Sequence, residues 1–205
     1  MNETKLKYMK KTLSILILTL CITAGAFAQT SFGIKGGVQS NLLTLGDGDS
    51  KAAYLGTGAH LGFVADLSVS ENFSVQPNLL FQMKSVKPND DFSIKLYTVD
   101  LPINLLYKTN GFFVGGGPNL SFGLSAKSDD GTDEEDLYED PDGADEAPLK
   151  RFEIGANLLM GYKFANGLTL SGHYTPGLSN ILNNPSDDEK YNTRQFGISI
   201  GYMFK

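Results

Sequence analysis

The chain has 205 residues, with 17 basic and 23 acidic side chains and one cysteine, Cys21. That length points to one domain and is long enough for a sizeable closed sheet. The net charge of −6 argues against nucleic acid as a partner, since such binding rests on neutralising phosphates with Lys and Arg.

The N-terminus carries Lys5, Lys7, Lys10 and Lys11 ahead of the apolar stretch Leu13 to Ile22. Ala26-Phe27-Ala28 then supplies a small-x-small cleavage site. Residues 1–28 are therefore expected to be a cleaved secretory signal peptide, because the apolar stretch falls short of the about 20 residues a helical span needs. Cys21 follows Leu20, whereas a lipidated cysteine usually follows a small residue, so cleavage after Ala28 is the favoured reading. Removing residues 1–28 leaves 13 basic and 22 acidic side chains, a net charge of −9, and no cysteine for a disulfide. No later stretch is long and apolar enough for a membrane helix, so any crossing is made by strands.

From residue 31 onward the hydrophobic pattern has period two, as strands with two unlike faces require. The first strand, about 31–41, sets Phe32, Ile34 and Val38 against Lys35, Gly37 and Gln39. The second, about 57–69, sets Leu61, Phe63 and Leu67 against His60, Gly62 and Asp66. The third and fourth, about 73–84 and 94–108, set Leu79, Phe81, Leu105 and Tyr107 against Gln76, Asn78, Gln82, Asp100 and Asn104. The fifth and sixth, about 112–125 and 151–164, set Val114, Phe122, Leu158 and Met160 against Asn119, Ser121, Arg151, Glu153, Asn157 and Lys163. The seventh and eighth, about 167–177 and 195–205, set Leu170, Tyr174, Phe196, Ile198 and Ile200 against Ser171, His173, Gly197 and Ser199.

Connections alternate strictly between short and long. Ser70-Glu71-Asn72, Thr109-Asn110-Gly111 and Ala165-Asn166-Gly167 are short, and Asn-Gly is a hairpin signal because both residues tolerate positive φ. The segments 42–56, 85–93, 126–150 and 178–190 are long and polar. In an up-and-down barrel all short turns then share one rim, as in outer-membrane barrels with short periplasmic turns and long extracellular loops. Phe32, Phe73, Tyr107, Phe112, Phe164 and Phe204 would girdle the short-turn rim, and Tyr97, Phe152, Tyr174 and Phe196 the other. Pro77, Pro102, Pro118 and Pro176 fall inside strands, each removes a ladder donor, and local bulges are expected there.

Phe32-Gly33-Ile34-Lys35-Gly36-Gly37-Val38, Val99-Asp100-Leu101-Pro102-Ile103-Asn104-Leu105-Leu106-Tyr107-Lys108 and Gly115-Gly116-Gly117-Pro118-Asn119-Leu120 resemble the PorT-like outer-membrane β-barrel family of Bacteroidetes. Gly177-Leu178-Ser179-Asn180-Ile181 and Ile198-Ser199-Ile200-Gly201-Tyr202-Met203-Phe204 extend the resemblance over nearly the whole mature chain. It implies an outer-membrane location and makes Pro102 and Pro118 expected features, but it brings no catalytic site. The founding member is linked to protein secretion, a role that no residue here carries over. The chain departs from the usual assembly signal in ending on Lys205, with the aromatic Phe204 penultimate.

Little reactive chemistry is encoded. Lys127 to Lys150 is dense in carboxylates, and Asp140, Asp142, Asp145 and Glu146 form a faint Ca²⁺ or Mg²⁺ pattern without a complete calcium loop. A solvated, self-repelling loop is the plainer reading. Lys35 and Asp66 are expected to pair inside the barrel, with Asp100, Arg151 and Glu153 completing an ion-paired lumen. Ser171 and His173 share a face about 7 Å apart, too far for a nucleophile and its base. Gly115-Gly116-Gly117 precedes no helix and gives no nucleotide site.

The sequence thus predicts an all-β, eight-stranded, antiparallel, up-and-down transmembrane β-barrel in the outer membrane. It is expected to be a non-enzymatic, plugged monomer without cofactor. Its expected partners are outer-membrane lipid, lipopolysaccharide and the barrel-insertion machinery. A soluble periplasmic ligand-binding barrel and a small lipid-modifying enzyme are the alternatives.

Overall fold

Alternation of bulky and lean residues produces eight long strands that close on themselves. The computed structural model describes residues 30–47, 50–86, 93–129, 134–139, 147–183 and 189–204. The strands are β1 (Thr30–Asp47), β2 (Ser50–Ser68), β3 (Phe73–Val86), β4 (Ser93–Thr109), β5 (Phe112–Asp129), the short β6 (Glu134–Asp136), β7 (Phe152–Lys163), β8 (Leu168–Pro176) and β9 (Glu189–Met203). Each barrel strand pairs antiparallel with its neighbours, and β1 pairs with β9 from Gly33↔Met203 to Asp47↔Glu189. β6 only adds a short ladder to the outer end of β5.

The burial pattern is that of a soluble protein turned inside out. Phe63 is 67 % exposed and Ile198 68 % exposed, along with Phe32, Val38, Leu61, Leu105, Phe112, Leu158, Met160 and Ile200. Among the described residues the buried set is mainly polar, including Gln39, Asn78, Gln82, Asp100, Asn104 and Asn157. A continuous outward apolar band is stable only against lipid. Aromatic contacts mark the short-turn rim, where Phe73 meets Tyr107 at 5.3 Å, Tyr162 lies 4.7 Å from Phe112 and 4.9 Å from Phe164, and Tyr202 meets Phe204 at 5.7 Å. Farther out Tyr97 stacks on Phe81 at 6.1 Å and Tyr174 on Phe196 at 4.4 Å.

Two of the short turns follow different local chemistry. Asn110 (φ 49°) and Gly111 (φ 86°) both take positive φ, as a two-residue hairpin with the right strand twist requires. In the Ala165-Asn166-Gly167 connection only Gly167 does so (φ 92°), and its N–H bonds to the Phe164 carbonyl at 3.0 Å while Asn166 Oδ1 accepts from Leu168 N–H. The longer loop lets the Asn side chain stand in for a backbone acceptor.

Two expectations are corrected. The 42–56 connection is mostly strand, since β1 and β2 pair out to Asp47↔Ser50, and its β-formers Leu42, Leu43, Thr44 and Tyr54 extend the hairpin beyond the barrel wall. The prolines cause no bulge: the described ladders shift register between Tyr97 and Thr98, where β5 inserts Leu124 as an extra residue. Around Pro77 and Pro102 pairing is interrupted and resumes in the same register. Asn78 fills one such gap, its side-chain amide donating to the Gln76 carbonyl at 3.1 Å and the Pro102 carbonyl at 3.4 Å.

Ile198 sits well inside the apolar band. Ile198→Arg is expected to destabilise the liposome-refolded protein by about 2–4 kcal/mol, as lipid-facing arginines near mid-bilayer do. An unchanged denaturant midpoint would place this side chain away from lipid.

Candidate functional site

The lumen is organised around Asp100, which is fully buried on β4. Thr98 and Ser121 donate hydroxyl hydrogen bonds to its Oδ1 at 2.7 and 2.6 Å, and Gln82 donates to Oδ2 at 2.8 Å. Asn119 donates to Oδ2 at 3.4 Å, and Lys84 Nζ stands 3.8 Å from that oxygen. Each of these partners presents a donor, so both Asp100 oxygens act as acceptors.

Because its oxygens accept, Asp100 fixes the direction of a hydrogen-bond chain across the barrel. Gln82 must turn its NH₂ toward Asp100, which leaves Gln82 Oε1 to accept from Gln39 Nε2 at 2.8 Å. Gln39 Oε1 then accepts from His60 Nδ1 at 3.0 Å, and His60 Nε2 accepts from the Ser199 hydroxyl at 2.8 Å. This orientation assigns the imidazole its Nδ1–H tautomer, and bonds in one direction polarise each other. A second cluster links Thr175 to Asn157 and Asn157 to Asn104, each at 2.7 Å.

Small residues make room for the two imidazoles. His60 and His173 meet edge to face at 5.2 Å. A Cβ on Gly197 would fall on the His173 ring, and one on Gly37 would lie 2.9 Å from His60 Cε1. Ser199 and His60 are close enough for proton transfer, a pairing that sequence spacing did not reveal because they lie on β9 and β2. The strands that carry them are paired on both sides, β2 with β1 and β3 and β9 with β1 and β8, so their backbone N–H groups are taken up in ladders.

The predicted lumen charges are distributed differently from expectation. Asp66 takes Lys108, which donates to its two carboxylate oxygens at 2.6 and 2.7 Å, in place of Lys35. The register explains this correction, since Asp66 faces Ser31 and Lys35 faces Gly62, four residues along the strand. Lys35 is buried and lines, with Asp66 and Lys108, a vestibule of about 590 Å³ at the short-turn rim. Glu153 accepts from the Thr193 hydroxyl at 2.7 Å. Arg151 is exposed at the outer rim, where it lies over the Tyr138 ring at 4.9 Å and donates to the Leu124 and Tyr138 carbonyls. Asp140, Asp142, Asp145 and Glu146 lie outside the described residues, as does the 1–28 segment. Among the described residues no three His, Cys, Asp or Glu side chains are grouped to hold a metal ion.

A closed antiparallel cylinder with lipid-facing aliphatics and a hydrogen-bonded polar lumen is an integral outer-membrane β-barrel. The chain belongs to the outer membrane protein beta-barrel domain family, whose model matches residues 27–183. Its fold is similar to that of Neisserial surface protein A, at 13 % identity and a TM-score of 0.53, covering 85 % of this chain and 99 % of that one. It is likewise similar to Ail, the attachment invasion locus protein of Yersinia pestis, at 9 % identity and a TM-score of 0.52, covering 85 % and 99 %. No curated protein sequence matches it.

Stability measurements on three variants check this arrangement. Asp100→Leu strands several buried donors and is expected to cost about 3–5 kcal/mol, the range for breaking a buried charged set; a loss below about 1 kcal/mol would contradict Asp100 as the organising group. Lys108→Met is expected to cost about 1.5–3 kcal/mol through its charged hydrogen bonds, and Lys35→Met less. The opposite ranking would restore Lys35 as the Asp66 partner.

Proposed function

We propose that the protein is a non-enzymatic envelope barrel, stoppered by its own side chains, whose outward hairpins and loops serve structure or recognition at the cell surface. The observation that carries this reading is the chain from Ser199 through His60, Gln39 and Gln82 to Asp100, which joins β9, β2, β1, β3 and β4 across the lumen. An eight-stranded barrel is only about wide enough for side chains to fill, so a chain of bonded side chains at this level supports a stoppered lumen. The exposed band around Phe63 and Ile198 speaks against a soluble periplasmic barrel. The missing oxyanion donors beside Ser199 speak against a hydrolase.

In this reading residues 1–28 direct export and are removed, the barrel-insertion machinery places the monomer, and its loops stand among lipopolysaccharide. PorT-like kinship is part of the same proposal and rests on the Val99 to Lys108 and Gly115 to Leu120 motifs. One structure of Ail holds a heparin analogue, sucrose octasulfate. The carboxylate-rich stretch from Asp129 to Glu146 favours a neutral or cationic surface partner for this chain instead.

Reconstituted in a planar bilayer, the purified protein is expected to give no sustained stepwise conductance. Stable pore-sized steps would overturn the stoppered lumen. Protease added to intact cells is expected to cut between Asp130 and Asp145; protection of that stretch until the membrane is broken would reverse the orientation.

A further inference from the structure

Above Asp100 the lumen changes character. The inward positions of β1, β3 and β4 turn from amides and charges to Leu43, Val86, Ile94 and Leu96. Leu137, Tyr138, Leu149, Ile181 and Leu182 close the space from outside, leaving an apolar chamber of about 240 Å³. This ceiling is tied by backbone bonds, from Leu149 N–H to the Leu137 carbonyl at 3.0 Å and from Lys150 N–H to the Ile181 carbonyl at 2.8 Å. Asn180 Oδ1 braces it by accepting from Leu182 N–H and Tyr191 N–H.

Among the polar side chains of the lining, Lys84, Asn41 and Gln195 have unmet hydrogen-bonding capacity. Lys84 is 5 % exposed, and its ammonium has Asp100 at 3.8 Å as its ion partner, a carboxylate already holding four other donors. Asn41 uses its Oδ1 to accept from Gln39, which turns its buried Nδ2 away without a partner. Gln195, opposite Asn41 in the β1–β9 ladder, has a buried Oε1 without a partner, and half a turn of its amide presents another donor. Buried donors left unmatched in an apolar cavity are costly unless something accepts from them.

We propose that this chamber binds a small amphipathic carboxylate, with the anionic head on Lys84 and Asn41 and the hydrocarbon tail among Leu43, Leu96, Leu149 and Ile181. Charge agrees with an anion: Lys84, Lys150 and Arg151 line the chamber against Glu153 alone. Glu153 is itself engaged by Thr193 and by the charge of Lys84, which leaves Lys150 and Arg151 as the excess positive charge. The volume holds about eight water-sized groups at about 30 Å³ each, which suits an acid the size of hexanoate. This site goes beyond the envelope role and does not depend on it.

The test is a hexanoate titration of the full mature protein in lipid nanodiscs, followed through the methyl NMR signals of Leu43, Leu149 and Ile181. Saturable shifts at these methyls are expected, with hexanol at least about tenfold weaker because one unit of charged contact is lost. Lys84→Met is expected to weaken hexanoate by a similar factor, and Leu43→Trp, which fills the chamber, to abolish the shifts at Leu149 and Ile181. Both variants are first checked for heat-modifiable migration, and should one fail to fold, the other and the hexanol comparison still decide. Equal binding of hexanol, unaltered shifts in Leu43→Trp, or no saturation up to about 10 mM would each overturn the proposal. Any of these results leaves the conductance reading untouched.

Discussion

Hydrocarbon offers no hydrogen bonds, so each peptide group that enters it must find its partner within the protein. The pairing of β1 with β9 meets that demand by removing both free edges of the sheet. Much else follows from it. A closed sheet needs an even set of antiparallel strands to return the termini to one rim, and it leaves side chains only two directions. Prolines that would be breaks in an open edge become local shortages, and at Pro102 the shortage is met by the side chain of Asn78.

Closure also creates an interior lined by the inward face of the sheet, and there the hydrogen bonds of one buried carboxyl group organise the rest. Asp100 takes donors from β3, β4 and β5, which binds three neighbouring strands through their side chains as well as their ladders. Its acceptor-only character then dictates the orientation of Gln82, Gln39 and His60 in turn. The glycines beside the imidazoles belong to the same solution, since a ring can cross a lumen this narrow only where the facing wall has no side chain.

The strands were legible because outward apolar side chains such as Phe63 and Ile198 repeat every second residue over many turns of the pattern. The Asn110-Gly111 hairpin was legible because its residues state their own φ preference. The lumen pairing was not, because Lys108 reaches Asp66 from two strands away and depends on a register that composition does not encode. Ser199 and His60 escaped notice for the same reason, since they lie on the two strands that flank β1 and meet over Gly37 only in the paired register. The reach of β1 and β2 was hidden by polarity: small and polar residues near 46–51 look like loop even though the segments around them pair as strand.

That reach makes the two sides of the cylinder unequal. β1 and β2 run for 18 and 19 residues, whereas β8 stops after nine at Pro176, so the outer lip is bevelled, tall on one flank and cut low on the other. The segments around Leu149 and Ile181 lean over the low flank. The molecule consequently has a front and a back within the plane of the membrane. A neighbour approaching sideways meets a palisade from one direction and a sill from the other, and rotation about the membrane normal changes what it finds.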